Sequence, residues 1–342
     1  MTADFPVGRI VAGSETAIHA ARERFAAQPI DEVFPASAAP DPNWNRCATL
    51  GREVSVTGPG TYTGRAQRTL VFSPSDVPGW WIQRTDQPES LPIQVSVRNV
   101  WTSQRSIVLR SGSPHNYLRM VEHIVALRLG MGIDNLLIKT ASGDPPLFDR
   151  SSMDLVEAFE RAGRVASDSD APFVTVKEPV TIGGDRGDFL TLLPAEPGDR
   201  ALHLDVAIDF PTVIGRQRIK YDVAHDSFRR GAAARTNATF GTMLLTKTVG
   251  KLFAETRNLG YTKRNILIHG KRRYLNEPEP SLMHDGRPLE AVWHRATLDL
   301  LAAIALVDVG RFAGTAVSYR AGHTLDVRMM TLLYKHNLLK SI

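Results

Sequence analysis

The stretch MVEHIVALRLGMGIDNLLI, residues 120–138, decides how the rest of the chain reads. Together with Leu118, residues Val121, Ile124, Val125 and Leu129 recur at the spacing that gathers apolar side chains on one face of an α-helix. The short apolar run NLLIKT that follows reads as a strand. Upstream, from Arg52 to Leu109, short β-prone runs (EVSVTG, RTLVFS, WWIQRT, IQVSVRNV, SIVLR) alternate with Gly, Pro, Ser and Asp clusters, the pattern of a mainly antiparallel sheet. Downstream, a second helix over Met153 to Ala162 closes at Gly163. The order then repeats. Strand-like FVTVKEPVTI, DFLTLLP, ALHLDVAIDF and RQRIKYDV lead into helical text from Phe240 to Asn258, a strand RNILIHG and a long helix from about Leu289 to Val307. A last strand, TAVSYRAG, precedes a helix over Thr324 to Leu338. Two halves of the same β-then-α order predict a duplicated α+β unit.

Length agrees with two units, since 342 residues are roughly two to three times a usual single domain. The expected division is an N-terminal extension over 1–45, with a helical candidate from Glu15 to Ala27 and the breaker-rich run PASAAPDPNWN, then α+β domains over 46–168 and 169–342. At 43% hydrophobic and 23% charged residues the composition excludes wholesale disorder. A net charge of +5 without a basic tail points away from nucleic acid and toward a small anionic substrate. One cysteine, Cys47, excludes both an internal disulfide and a Cys-rich zinc module, and places the chain in a reducing compartment. No stretch approaches the roughly 20 apolar residues of a membrane span, and the start lacks the order of a secretory signal. The expected location is cytoplasmic, at most peripheral to a membrane.

The residues able to do chemistry are Glu122-His123 on the first apolar helix, His294 and Asp299 on the long one, and Gly322-His323 beyond it. Imidazole nitrogens with a carboxylate oxygen make a zinc set, and a catalytic site of that kind uses three protein ligands. A further carboxylate serves as base toward the attacking water, and a free histidine protonates a leaving group. Each alone is also read as an ordinary structural hydrogen-bonder. GPGTYTG lacks the spacing and the Lys-Ser/Thr ending of a phosphate-binding P-loop. The basic run Lys263-Arg264 with Lys271-Arg272-Arg273 reads either as a phosphate contact or as a solvated face.

From about Ala48 to the C-terminus these segments, in order, resemble the zinc-dependent UDP-3-O-acyl-N-acetylglucosamine deacetylases of lipid A synthesis. The resemblance is carried by VTGPGTYTG (56–64), residues 120–138, PPLFDRSS (145–152), IDFPTVIGRQR (208–218), AART (233–236), EAVWHR with LDLL, and VSYRAGH (317–323). It implies two similar α+β domains, each a sheet packed on helices, with the site in the crevice between them. It implies Zn2+ as cofactor, held by His123, His294 and Asp299, with Glu122 as general base. It further implies His323 as general acid and Thr236 as the group polarising the substrate carbonyl. The implied partner is a small acylated nucleotide sugar. Tyr62 stands where the family has histidine, Arg150 where it has glycine, and Asn237 where it has an aromatic.

The second ligand breaks the pattern. His294 and Asp299 are five residues apart, whereas the family spacing is four. On a regular α-helix, five residues are about 140° apart and four only about 40°. A π-bulge between Arg295 and Leu298 restores the geometry; a regular helix weakens or loses the metal site. Stacking Arg295 into the metal position fails, because guanidinium has no lone pair to donate. Two readings therefore stand beside the lipid A deacetylase. One is a catalytically altered paralogue that binds an acylated or nucleotide ligand or a partner protein; the other is a deacetylase of a different N-acyl substrate.

Overall fold

The structure, a computed structural model, describes residues 5–35, 41–247 and 258–342, with side chains through Leu245 in the middle segment. The chain is mixed α+β. In the first half a five-stranded sheet runs in the order Val54–Pro59, Gln67–Pro74, Leu136–Thr140, Trp80–Arg84, Ile93–Gln94. The strand from the deciding stretch, Leu136–Thr140, lies inside it, antiparallel to Gln67–Pro74 and parallel to Trp80–Arg84. The helix Met153–Ala162 buries Leu155, Val156 and Phe159 on this sheet and stops at Gly163, whose φ of 76° favours glycine. Phe159 meets Phe72 edge to face, with centroids 5.0 Å apart.

The larger sheet has seven strands in the order Arg9–Ala12, Val180–Gly183, Phe189–Leu193, Gly314–Tyr319, Leu202–Asp209, Arg216–Asp222, Glu32–Val33. Both of its edges come from the segment expected to lie outside the core. Arg9–Ala12 pairs parallel with Val180–Gly183, and Glu32–Val33 pairs parallel with Arg216–Asp222. The helix between them, Glu15–Ala26, buries Ile18, Ala21 and Phe25. This corrects the reading of residues 1–45 as a mere extension: two very short edge strands carry too little periodicity to be recognised without their partners. Residues 36–40 of the PASAAPDPNWN run lie outside the described residues. The expected boundary at 168/169 falls within the strand Arg164–Asp170, which pairs with Arg46–Leu50.

The helical text from Phe240 to Asn258 is a helix over Phe240–Lys247; residues 248–257 lie outside the described residues. It connects two short parallel strands, Thr236–Thr239 and Ile266–His269. Buried residues of both sheets and of the long helix near the C-terminus form one contiguous hydrophobic cluster. Two arginines lock the halves together inside it. Arg128 is buried and donates to the carbonyls of Ala305, Val307 and Gly310, the groups left open where the long helix ends. Arg311 forks onto Asp134 at 2.8 and 2.7 Å, a buried pair of the kind whose disruption costs about 3–5 kcal/mol. The apolar helical stretch and the end of the long helix are thus held at one relative position, which sets the spacing of the site.

A pH-sensitive contact lies on the larger sheet. His203 faces Asp222 across the strand pair and is clamped by Asp222 at 2.6 Å and Asp199 at 2.8 Å. The hydrogen bond to Asp222 chiefly, against burial and with help from Asp199, raises its pKa to about 9. The folded value lies above the unfolded one, about 6.5, so the stabilisation is complete below about pH 6.5 and is lost as pH rises through about 9. The side chain is 36% exposed, which limits the effect to about 1 kcal/mol or less. Thermal melts at pH 6.5 and pH 9.5 should show wild type losing its advantage over His203→Gln. A gap independent of pH would disprove the assignment.

Candidate active site

Glu122 and His123 sit just past an unusual turn. The helical stretch does not begin at Leu118, which belongs to the short strand Tyr117–Leu118; it begins at Glu122, after Met120 with a φ of 48°. That left-handed conformation is rare for a residue with a side chain and breaks the expected continuous helix. Glu122 is 3% exposed, and the Ile107 N–H donates to its Oε2 at 3.0 Å. Burial raises the Glu122 pKa, with His323 as the largest opposing charge. His123 keeps some contact with solvent. The packing around it and the neighbouring His294 nevertheless lower its pKa, which favours the neutral imidazole that can donate a lone pair. The Ser152 hydroxyl lies 3.3 Å from His123 Nδ1 and 3.1 Å from its carbonyl oxygen, and so orients the ring.

The long helix absorbs its extra residue. Glu290–His294 is α-helical, Arg295–Leu300 is a π-helix, and Leu301–Ile304 returns to α. Hydrogen bonds spanning five residues make each turn wider, so positions five apart return to the same face. His294 Nδ1 and Asp299 Oδ1 lie 3.6 Å apart. The bulge has a receptor in the packing: Thr297 sits over Gly231, where a Cβ would come within 2.0 Å of the Thr297 Oγ1, and its hydroxyl bonds Tyr221 at 3.0 Å. Arg295 is directed elsewhere, to Asp326 at 2.7 Å and Ser318 at 3.2 Å.

The remaining candidates meet at the same place. His323 opens the helix His323–Lys335, and its Nε2 is 3.5 Å from Asp299 Oδ1. Burial disfavours its charged form, but Asp299, then Glu122 and Asp326, outweigh it and raise the pKa. Asp299 shows the converse: burial alone would raise its pKa, and His323 with His294 hold it low. Thr236, first residue of its short strand, places Oγ1 2.8 Å from His294 Nε2. The His123 and His294 rings lie with centroids 5.4 Å apart. His203, His225 and His284 pair with other carboxylates and join none of these groups.

Two imidazoles and one carboxylate are a zinc donor set. Asp299 Oδ1 is buried without a hydrogen-bond partner among the described residues, although imidazoles approach it from two sides. An orphaned carboxylate oxygen in that position fits a cation. Among the described residues no three His, Cys, Asp or Glu side chains are placed as a group that could hold a metal ion, so binding requires the donors to move. Capacity is not the criterion here. A cavity of about 810 Å³ is lined by Trp44, Leu50, Phe159, Asp222 and others, and by none of the six candidate residues. It offers room without converging reactive groups.

Sequence reading missed the supporting residues. Ser152 lies in a motif already noted, but nothing in its position says that it bonds His123. Asp326, three residues after His323, carried a signal only in hindsight, as a carboxylate one helical turn from a histidine.

A buried glutamate and a histidine flanking a His-His-Asp donor set, on an α+β scaffold, is the layout of a hydrolase. The chain belongs to the UDP-3-O-acyl N-acetylglycosamine deacetylase family, whose model matches residues 47–335. Proteins of Brucella ovis, Brucella canis and Brucella melitensis biotype 2 called UDP-3-O-acyl-N-acetylglucosamine deacetylase are each 30% identical to it over 281 residues, covering 81% of this chain and 91% of theirs.

Proposed function

We propose that this chain is a zinc-dependent amidohydrolase that removes the N-acetyl group of UDP-3-O-acyl-N-acetylglucosamine in lipid A synthesis, acting in the cytoplasm. The observation that carries the reading is the π segment, through which His294 and Asp299 face each other beside His123, Glu122 and His323. A regular helix would have favoured the catalytically altered paralogue. No helix among the described residues is long and apolar enough to cross a membrane.

His123, His294 and Asp299 would hold the zinc. Its chemistry, when bound, is Lewis-acid polarisation of the amide carbonyl and of water at the site. Glu122 takes a proton from the attacking water, and its raised pKa brings it closer to neutrality, where a general base works best. The Thr236 hydroxyl donates to the carbonyl oxygen as negative charge develops there. His323 protonates the departing nitrogen. The C–N bond breaks, and the products are a free amine and acetate.

The test is acetate release from UDP-3-O-acyl-N-acetylglucosamine by the purified chain, with metal content measured by plasma emission on material never exposed to chelator or to a nickel column. About one zinc per chain and acetate release are expected. Absence of both metal uptake and acetate release would sink the reading. Metal without release from this substrate would move the search to other N-acyl amines, a direction already suggested by Tyr62, Arg150 and Asn237.

A further inference from the structure

A cation lies close in sequence to the candidate catalytic groups. Arg119 precedes the strained Met120 and lies three residues before Glu122. Its guanidinium carbon stands 4.8 Å from the centroid of the Tyr62 ring, a stacking distance. Among the described residues no carboxylate forms an ion pair with Arg119. The nearby Asp144 is engaged otherwise: it accepts from the Tyr62 N–H at 2.7 Å, from the Thr63 N–H at 3.1 Å and from the Thr63 hydroxyl at 2.9 Å, and it pairs with Arg68 at 3.6 Å.

The platform under Arg119 is rigid. Asp144 holds the loop that carries Tyr62 from one side, and the segment ending at Tyr261 holds it from the other. Gly260 N–H donates to the Thr61 carbonyl at 3.0 Å, and a Cβ on Gly260 would fall 2.5 Å from the Gly60 oxygen, so the two stretches can lie this close only with glycine there. Tyr261 ties this corner to the reacting groups. Its hydroxyl reaches Met120 Sδ at 3.9 Å, and it feels the charges of Glu122, Arg119 and Asp299.

A guanidinium stacked on an aromatic face is fixed in orientation and keeps its N–H edge free for two parallel bonds to an oxyanion. Such a group is always charged, and leaving it without a carboxylate partner makes sense when the anion arrives with the substrate. We propose that Arg119, held on the Tyr62 ring, receives the diphosphate of the nucleotide-sugar substrate, so that this pair sets specificity at the mouth of the catalytic centre. The inference rests on the deacetylase reading for its substrate, and it concerns residues particular to this chain: Tyr62 replaces the histidine of the family pattern.

The test uses UDP itself, whose binding is measured by titration calorimetry without turnover, so it stands apart from the fate of the deacetylation assay. Arg119→Gln should weaken UDP binding about 10- to 100-fold, the loss typical of a charge-assisted bidentate contact. Arg119→Lys, which keeps the charge and loses the fork, should fall between; it also serves if the glutamine variant does not fold. Tyr62→Leu should weaken binding less. The double variant Arg119→Gln/Tyr62→Leu should be no weaker than Arg119→Gln alone, because the ring acts through the guanidinium. With turnover established, the Arg119 loss should appear mainly in KM. Equal UDP affinity in wild type and Arg119→Gln overturns the proposal, as does a wild-type chain that does not bind UDP.

Discussion

Glu122→Ala loses at least about two to four orders of magnitude in turnover, the range contributed by a positioned acid or base, and keeps its metal. The separation of the two readouts follows from the geometry. Glu122 is buried beside His323 and held by the Ile107 N–H, whereas the proposed donor set is its neighbour His123 with His294 and Asp299. A base that is not a ligand can be deleted without emptying the site. The experiment is a pair of measurements on one preparation, steady-state acetate release and zinc per chain. Metal lost along with activity would make Glu122 a ligand and require another base.

His294→Ala is expected to do the reverse of a clean kinetic defect: zinc content falls sharply. Residues that merely orient a ligand cost about 10- to 100-fold in metal affinity when removed, so a ligand itself should cost more. The change also leaves the Thr236 hydroxyl without its 2.8 Å partner and takes one of the two imidazoles away from Asp299. Zinc titration with a competing chromophoric chelator gives the affinity, and circular dichroism checks that the helix survives. An unchanged stoichiometry and affinity would place the ligand elsewhere.

Most of the candidate site was legible in the sequence because its residues stand in short, ordered motifs. Glu122-His123, Thr236, His294 with Asp299, and His323 stand on four separate segments, and each could be matched to a role by resemblance. Strands and helices bounded by turn residues, such as Met153–Ala162 with its Gly163 stop, were equally readable, since local pattern and local geometry agree there. The edge strands Arg9–Ala12 and Glu32–Val33 were not, because their existence depends on partners at Val180–Gly183 and Arg216–Asp222. Nor was the late helix start at Glu122: the apolar period runs smoothly through Leu118, and only the turn at Met120 interrupts it.

What the sequence by itself determined is the α+β class, the family, and an inventory of reactive groups with one misfit, five residues where four are usual between His294 and Asp299. It could state the two outcomes of that misfit and not choose between them. The choice lies in tertiary packing. A π turn is intrinsically poorer than an α turn and persists only where its surroundings accept the extra residue. Here Gly231 leaves space for Thr297, Tyr221 bonds that threonine, and Asp326 with Ser318 draws Arg295 away from the donors. Those partners are far from the helix in sequence, and a local pattern contains no information about contacts made across the fold.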